Sequence, residues 1–277
     1  MPKRKIIYDI TTAIKAKETL VELTGISIDI FDYVYMTQLS KNQYCFADKI
    51  RDEACKLGNY HFDTDINNID FLVQHITTST SSCDGIRKNG LKNLCLTYKD
   101  KESELHQFLD DNEIYIDLEN EKIRILNKEY SIHYGKKDFG LSDLEENLWS
   151  IARKFYYDFC ICGFFSIDSS SAYGGYVHKS PEILYNISQL CKVDLRRKWS
   201  QKRSGYIVSF YASRDELVDT ITNCDNESSD EEFLQSLIYL AADNAYFSID
   251  ERIALLKNDV SIEPSRINDI SKFNTWD

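Results

Sequence analysis

Residues 71–91 of the chain have the sequence FLVQHITTSTSSCDGIRKNGL, and the prediction of the fold starts from them. The run from Phe71 to Thr77 is apolar and β-branched and ends in polar residues, a pattern typical of a buried strand with an exposed end. Ser81 and Asp84 have the spacing of a helix-capping pair, and Asn89-Gly90-Leu91 is a typical helix stop. The stretch therefore predicts a strand, a polar loop, a short helix and a glycine turn.

Within this stretch, His75-Ile76-Thr77, Ile86 and Gly90-Leu91 form a spaced motif. It resembles the first motif of ADP-ribosyltransferases of the DarT type and, more distantly, of poly-ADP-ribose polymerases and RNA 2′-phosphotransferases. The resemblance implies that NAD is the substrate, with His75 holding a ribose hydroxyl, backbone groups near Ile76 holding the nicotinamide amide, and Thr77 supporting the pocket. A histidine at a strand end is also often a purely structural residue, so both interpretations stay open.

Residues 163–185 supply the second set of candidate residues. Residues 163–173 (GFFSIDSSSAY) look like the polymerase-type segment whose tyrosine stacks on nicotinamide, whereas residues 179–185 (KSPEILY) resemble the DarT-type segment that enters the next helix. The sequence does not decide between these two registers. Because a Gly-Gly pair separates Tyr173 from Tyr176, we expect a loop that closes on a flat ring, with both tyrosines lining the nicotinamide side. A plain turn with exposed tyrosines is the alternative.

The catalytic carboxylate is the element that the resemblance does not place. In these transferases a glutamate at the start of a late strand stabilises the positive ribose as the nicotinamide bond breaks. The candidate strand here begins at Tyr206, and Gly205 occupies the expected position. Glu182 is predicted to be catalytic together with His75. Glu216 is also nearby in sequence, and Glu263-Pro264 resembles the acid-plus-proline step of other members, but none of these acids occupies the expected position. The alternatives are a wrong register or a protein that binds a nucleotide without cleaving it.

Composition and charge restrict the class of protein. With 277 residues, 43% hydrophobic and 28% charged, the chain is long enough for a large core and is typical of a globular protein. Its net charge of −12 disfavours a general nucleic-acid binder unless the basic residues are segregated, and an acidic surface would suit a protein partner. Lys192 to Arg203 is the one dense basic segment; it either faces phosphates or forms a solvated loop.

The eight cysteines include no CxxC pair, and Cys160 and Cys162 alternate across a predicted strand. This spacing argues against a metal site and against a redox motif. Because no signal peptide and no long apolar run is present, we expect free thiols, no membrane span and a cytoplasmic location.

The remaining elements are predicted from periodicity, caps and turns. Helices are expected from a cap at Thr11 or Thr12 to Gly25, over 46–57, over 103–111, after the Ser142 and Glu145 capping box, after Ser180 and Pro181, after Ser229, over 250–257 and after Pro264. Short strands are expected over 114–118, 122–126 and 129–133, with a turn at Asn127-Lys128 between the last two, and over 159–165 and 206–211.

Together these patterns predict an α+β fold with a mostly antiparallel, ADP-ribosyltransferase-like sheet core flanked by N- and C-terminal helices. The expected domains are a helical extension over 1–70, a core over 71–224 with a meander insertion near 98–140, and a helical segment over 225–277. The expected function is NAD-dependent ADP-ribosyl transfer to a nucleic acid or protein by a toxin or phage-defence effector. The alternative is a catalytically degenerate nucleotide-binding sensor or a protein-interaction module.

Overall fold

The computed structural model describes residues 5–41, 44–135, 140–168, 176–218, 220 and 229–273. Of the five strand pairs whose register the described residues define, four are antiparallel and one is parallel. Runs of helices and runs of strands follow one another along the chain. The fold is α+β with a mostly antiparallel sheet core, which confirms the fold class predicted from the sequence.

The strands form two sheets. In the described part of the chain they are β1 (Ile6–Tyr8), β2 (Ile69–Ser79), β3 (Ile114–Asp117), β4 (Lys122–Ile125), β5 (Lys128–Ser131), β6 (Cys162–Ser166), β7 (Ser204–Ala212), β8 (Arg252–Leu255) and β9 (Ile267–Lys272). The larger sheet has the order β8-β6-β2-β7-β9, with β1 also paired to β2, and the smaller sheet has the order β3-β4-β5. The strand that carries the first motif is therefore an interior strand of the larger sheet.

Ten α-helices are present in the described ranges. They are α1 (Ala13–Thr24), α2 (Ile28–Lys41), α3 (Ala47–Leu57), α4 (Asp84–Asn89), α5 (Leu94–Lys99), α6 (Glu104–Asp111), α7 (Asp143–Tyr156), α8 (Ile183–Cys191), α9 (Leu195–Ser200) and α10 (Asp230–Tyr246). Short 3₁₀ turns occur at Ile66–Asn68, Arg214–Glu216 and Pro264–Arg266. None of these described helices combines the length and the apolar character that crossing a lipid bilayer requires.

Capping residues explain where several helices begin. Thr12 accepts a hydrogen bond from the Lys15 backbone N–H at the start of α1, and Gly25 ends that helix in a left-handed conformation with φ of 66°. Ser142 and Glu145 form a reciprocal capping box at the start of α7. Both helix starts confirm the sequence prediction. Such starts can be predicted because a cap depends only on residues within one turn.

The chain divides into two compact units, each built from several segments. The first comprises Met1–Gln74, Cys162–Ser171 and Phe210–Leu256. Its core contains an aromatic cluster in which the Tyr8 ring lies 5.6 Å from that of Phe71 and 5.8 Å from that of Phe165. Burial raises the pKa of Tyr8, and the neutral hydroxyl donates a 3.1 Å hydrogen bond to the Leu237 carbonyl of α10.

The second unit comprises His75–Ile161, Ala172–Ser209 and Lys257–Asp277. Its main apolar cluster joins the meander β3–β5 to α6, α7, α8 and α9, with Trp199 as its largest side chain. Both units therefore draw on separated segments of the chain.

The prediction of a helix over residues 250–257 is wrong. Arg252–Leu255 is β8, which pairs antiparallel with β6 so that Ala254 faces Gly163. A four-residue apolar segment has no periodicity that separates a helix from a strand, and a neighbouring strand decides its conformation. The segment after Pro264 likewise forms only a 3₁₀ turn before β9.

Two other elements start one or two residues away from their predicted positions. Ile125 pairs with Lys128, so the hairpin turn is Leu126-Asn127, and Leu126 has a positive φ of 54°. The helix predicted to begin at Pro181 begins at Ile183. Ser180, its predicted cap, accepts a hydrogen bond from the Arg196 side chain.

Candidate functional site

The first motif lies at the C-terminal half of β2. Because side chains alternate along a strand, His75 and Thr77 share one face and Ile76 lies on the other. Ile76 is 5% exposed, whereas His75 and Thr77 are half-buried. The structure therefore brings three predicted site residues together on one interior strand, with its two polar members side by side on one face.

The chain leaving β2 is held by Glu104, the first residue of α6. The Glu104 carboxylate accepts hydrogen bonds from the Ser79 hydroxyl at 2.7 Å and from the Thr80 N–H at 3.0 Å. It also pairs at 2.7 Å with Arg203, whose side chain is only 10% exposed. Ser79 lies four residues beyond His75, or roughly 13 Å along the strand. Glu104 therefore positions the loop and is not within hydrogen-bonding reach of His75.

Trp199 joins this region to the opposite face of β2. Its indole N–H donates to the Thr78 hydroxyl at 2.7 Å, and its ring meets Phe108 edge-on with centroids 5.0 Å apart. The Arg203 guanidinium lies 3.6 Å from the centre of the same indole ring. The polar groups at the end of β2 are therefore satisfied by Glu104 and by the buried Trp199.

The loop between β2 and α4 does not use the predicted Ser81 and Asp84 cap. Cys83 precedes the helix with a left-handed φ of 64° and provides no side-chain cap. Instead the Ser79 hydroxyl accepts the Cys83 N–H at 3.0 Å. Burial raises the pKa of Cys83 to about 11, so this thiol is protonated at neutral pH and is a poor nucleophile.

Gly90 ends α4 in a conformation that requires glycine. Its φ is 79°, and a Cβ at this position would lie 2.1 Å from the Ile262 carbonyl oxygen. The next residue, Leu91, is buried and pairs with Ile262, the backbone N–H of each donating to the carbonyl of the other at 2.9 Å. Glu263 follows Ile262 in the chain and is exposed.

The second set of candidate residues lies around α8. Glu182 precedes the helix, is half-exposed, and pairs with Lys154 of α7 at 2.7 Å. Within the described chain its carboxylate is thus engaged by α7 and makes no hydrogen bond to His75. Tyr176 is 47% exposed and has a positive φ of 75°. Tyr173 lies outside the described residues.

Gly205 is in β7, where it makes close backbone contacts. A Cβ there would lie 2.7 Å from the His178 carbonyl oxygen and 3.1 Å from the Phe273 Cβ. The His178 ring stacks on Phe273 with centroids 5.1 Å apart, and burial, aided by the charge of Lys179, lowers the pKa of His178. No side chain fits at position 205, so the catalytic carboxylate expected there is excluded on steric grounds.

The start of the basic segment opens onto a cleft between α8 and α9, with a volume of about 700 Å³. Lys179, Lys192, Arg196 and Arg197 contribute four basic side chains to its lining, and Asp194 contributes the one carboxylate among the described lining residues. Asp194 accepts the Arg197 backbone N–H as the cap of α9. We call this space the α8–α9 cleft.

Arg196 is held in place at this cleft. Its Nε donates to the hydroxyl of Ser180, a buried residue, at 3.1 Å, and its guanidinium lies 5.6 Å from the Tyr185 ring centre and 5.9 Å from that of Tyr176. Among the described residues, no carboxylate pairs with Lys192 or Arg197. The cleft is therefore a concave positive surface inside a protein whose net charge is −12.

Two features of this region are missing from the sequence prediction. In the sequence, Glu104 is an ordinary acid in the first turn of a helix. Its pairing with Arg203 cannot be predicted because the two residues are 99 positions apart. Lys179 is separated from the basic segment by α8, so composition does not join them. The only sequence signal for the cleft is the charge density of residues 192–203.

No group of three or more His, Cys, Asp or Glu side chains in the described ranges is arranged to hold a metal ion. The described cysteines are free thiols. In comparisons with known proteins, the chain matches no family model, no curated protein and no solved structure.

Proposed function

We propose that the chain is an NAD-dependent ADP-ribosyltransferase that acts in the cytoplasm as a toxin or phage-defence effector on a nucleic-acid or protein acceptor. The observation that carries the proposal is the unit from β2 to Leu91. It has the order strand, loop, helix, glycine turn that the residues predict, and His75 and Thr77 share one face of the strand. The antiparallel sheet around β2 is a suitable support for that unit.

In the proposed reaction, the bond between the nicotinamide nitrogen and the ribose breaks, and its electron pair leaves with nicotinamide. An acceptor oxygen or nitrogen then bonds to the ribose carbon and loses its proton. His75 would hold a ribose hydroxyl, and a carboxylate would stabilise the positive ribose of the transition state. Glu263 is the better candidate for that carboxylate, because it follows Ile262, which pairs with Leu91 of the motif. Glu182 is the other candidate.

A second function, nucleotide binding without cleavage or a protein-interaction role, is favoured by one observation. Gly205 occupies the position where the resemblance expects the catalytic carboxylate, and the contacts of its backbone leave no room for a side chain. A transferase would then need its carboxylate from another element, whereas a sensor would need none.

The test is release of nicotinamide from NAD by the full chain, with and without single-stranded DNA, RNA and protein acceptors. For the enzyme, we expect release in the wild-type protein and a loss of at least about 100-fold in His75→Ala, since the substrate is no longer oriented. His61→Ala is the matched control, because His61 is an exposed histidine of the first unit. Wild-type rates in His75→Ala would contradict the proposal.

Binding separates the two functions. NAD that raises the melting temperature without any nicotinamide release identifies the sensor, because a ligand that binds the native state stabilises it. Among the carboxylates, we expect Glu263→Gln to abolish release and Glu182→Gln to leave a substantial rate. The absence of both binding and release overturns both functions.

A further inference from the structure

We propose that the α8–α9 cleft is a binding site for the phosphate or diphosphate group of a small organic molecule. The inference goes beyond the proposed transferase function, because it requires neither His75 nor any bond cleavage.

The charge of the cleft is the first argument. Four basic side chains line one concave space, and the single carboxylate among its described lining residues, Asp194, already caps α9. Cations held close together repel each other, and the rest of this acidic protein has ample carboxylates that could neutralise them. Within the described chain no carboxylate pairs with Lys192 or Arg197, and cations left in this way are typical of a site whose counter-charge comes from a ligand.

The second argument is that part of the site is fixed before any ligand arrives. Ser180 is 2% exposed and holds the Nε of Arg196, while the Tyr185 ring flanks the guanidinium. The Ser188 hydroxyl donates to the Leu184 carbonyl at 2.6 Å and accepts the Leu195 N–H at 3.1 Å, which ties α8 to α9 and fixes the walls of the cleft. A fixed guanidinium loses less entropy on binding an oxyanion than a mobile one.

The size of the cleft is compatible with a nucleotide-sized ligand. A volume of about 700 Å³ is within the range of pockets for nucleotide-sized molecules. A polynucleotide strand instead needs basic residues spread along a groove, and outside this segment the chain is acidic. Tyr185, half-exposed beside Arg196, offers a ring on which the organic part of the ligand can stack.

The experiment measures equilibrium binding of inorganic pyrophosphate and of ADP to the full chain by calorimetry. We expect saturable binding of both, weakened at least about tenfold by the double substitution Lys192→Gln with Arg197→Gln, because two charge-assisted contacts are lost. Lys202→Gln is the control: it removes one positive charge from an exposed lysine just beyond α9 that does not line the cleft. It should leave both affinities within about twofold.

Three outcomes would overturn the inference. They are no saturable binding of either probe at low salt, equal weakening by Lys202→Gln and by the double variant, and tighter binding of a single-stranded oligonucleotide without terminal phosphates than of ADP. Circular dichroism spectra of the variants should match the wild type, because the replaced side chains are exposed. Binding of pyrophosphate without release of nicotinamide from NAD would support this inference while overturning the transferase.

Discussion

Arg203 and Arg197 belong to the same basic segment, yet the fold uses them in opposite ways. Arg203 is 10% exposed on its side chain, pairs with Glu104 and stacks on Trp199. Arg197 is exposed at the α8–α9 cleft, and no described carboxylate pairs with its guanidinium. The first arginine holds the loop after β2, and the second is available to an external anion.

The difference shows that a run of positive charge has no single meaning. Its members are assigned by partners elsewhere in the chain: Glu104 is 99 residues from Arg203, and Lys179 reaches the cleft from before α8. Whether a cation of this segment is structural or available to a ligand therefore depends on whether a carboxylate pairs with it. Only the folded chain shows that pairing.

The largest expected effect is on stability, from Arg203→Ala. Removing the guanidinium leaves the Glu104 carboxylate without its cation in a partly buried site and strips one face of Trp199, so we expect a loss of about 3 kcal/mol in the free energy of unfolding. Urea denaturation measures it. Lys202→Ala, its neighbour in the chain, should cost less than about 0.5 kcal/mol. A loss below about 1 kcal/mol for Arg203→Ala would remove the contrast between the two arginines.

A smaller effect is expected on the titration of His178. Burial and the charge of Lys179 lower the pKa of this imidazole below its ordinary value of 6.5. The unfolded chain takes up the proton first as the pH falls, so the neutral folded imidazole makes stability decline below about pH 6.5. Lys179→Gln removes one of the two causes.

We therefore expect the pKa of His178 to rise in Lys179→Gln, while burial still keeps it below 6.5. Titration of the imidazole protons by NMR measures the shift, with Lys202→Gln as the control. An unchanged pKa in Lys179→Gln would mean that the charge of Lys179 is compensated, which contradicts the description of the cleft.

The smallest effect is on stability at the cleft itself. Arg197→Gln removes an exposed cation that no carboxylate compensates, so we expect the free energy of unfolding to change by less than about 0.5 kcal/mol, or to increase slightly as repulsion falls. The comparison with Arg203→Ala uses the same urea titration. A loss as large as that of Arg203→Ala would show that Arg197 is structural.

Elements defined within a few residues are the ones that the sequence predicts well. The cap of α1 at Thr12, its end at Gly25 and the capping box of α7 each depend on one helical turn. The strand run of β2 was also identifiable, because its apolar and β-branched residues are continuous.

The elements that were predicted incorrectly depend on contacts with residues distant in the sequence. Arg252–Leu255 is a strand because β6 lies beside it, and the Ser81 and Asp84 cap is replaced because Ser79 supplies the acceptor from the end of β2. Ser180 is drawn away from capping by Arg196. In each case a local pattern was overruled by a partner that the sequence alone does not place next to it.

The candidate site divides in the same way. His75, Ile76 and Thr77 were predicted to lie together and do, because they are adjacent in one strand. The sequence could not place the catalytic carboxylate: Glu182 pairs with Lys154, and Glu263 follows Ile262, which pairs with Leu91. Both arrangements depend on contacts between residues that are distant in the sequence, and the spacing of residues does not reveal such contacts.

A crystal structure of the chain with NAD tests the central claim most directly. The account predicts that the nicotinamide ribose lies against β2, with a hydroxyl within hydrogen-bonding distance of His75 and the ring beside Thr77. NAD bound elsewhere, with the His75 imidazole in contact only with protein, would contradict it.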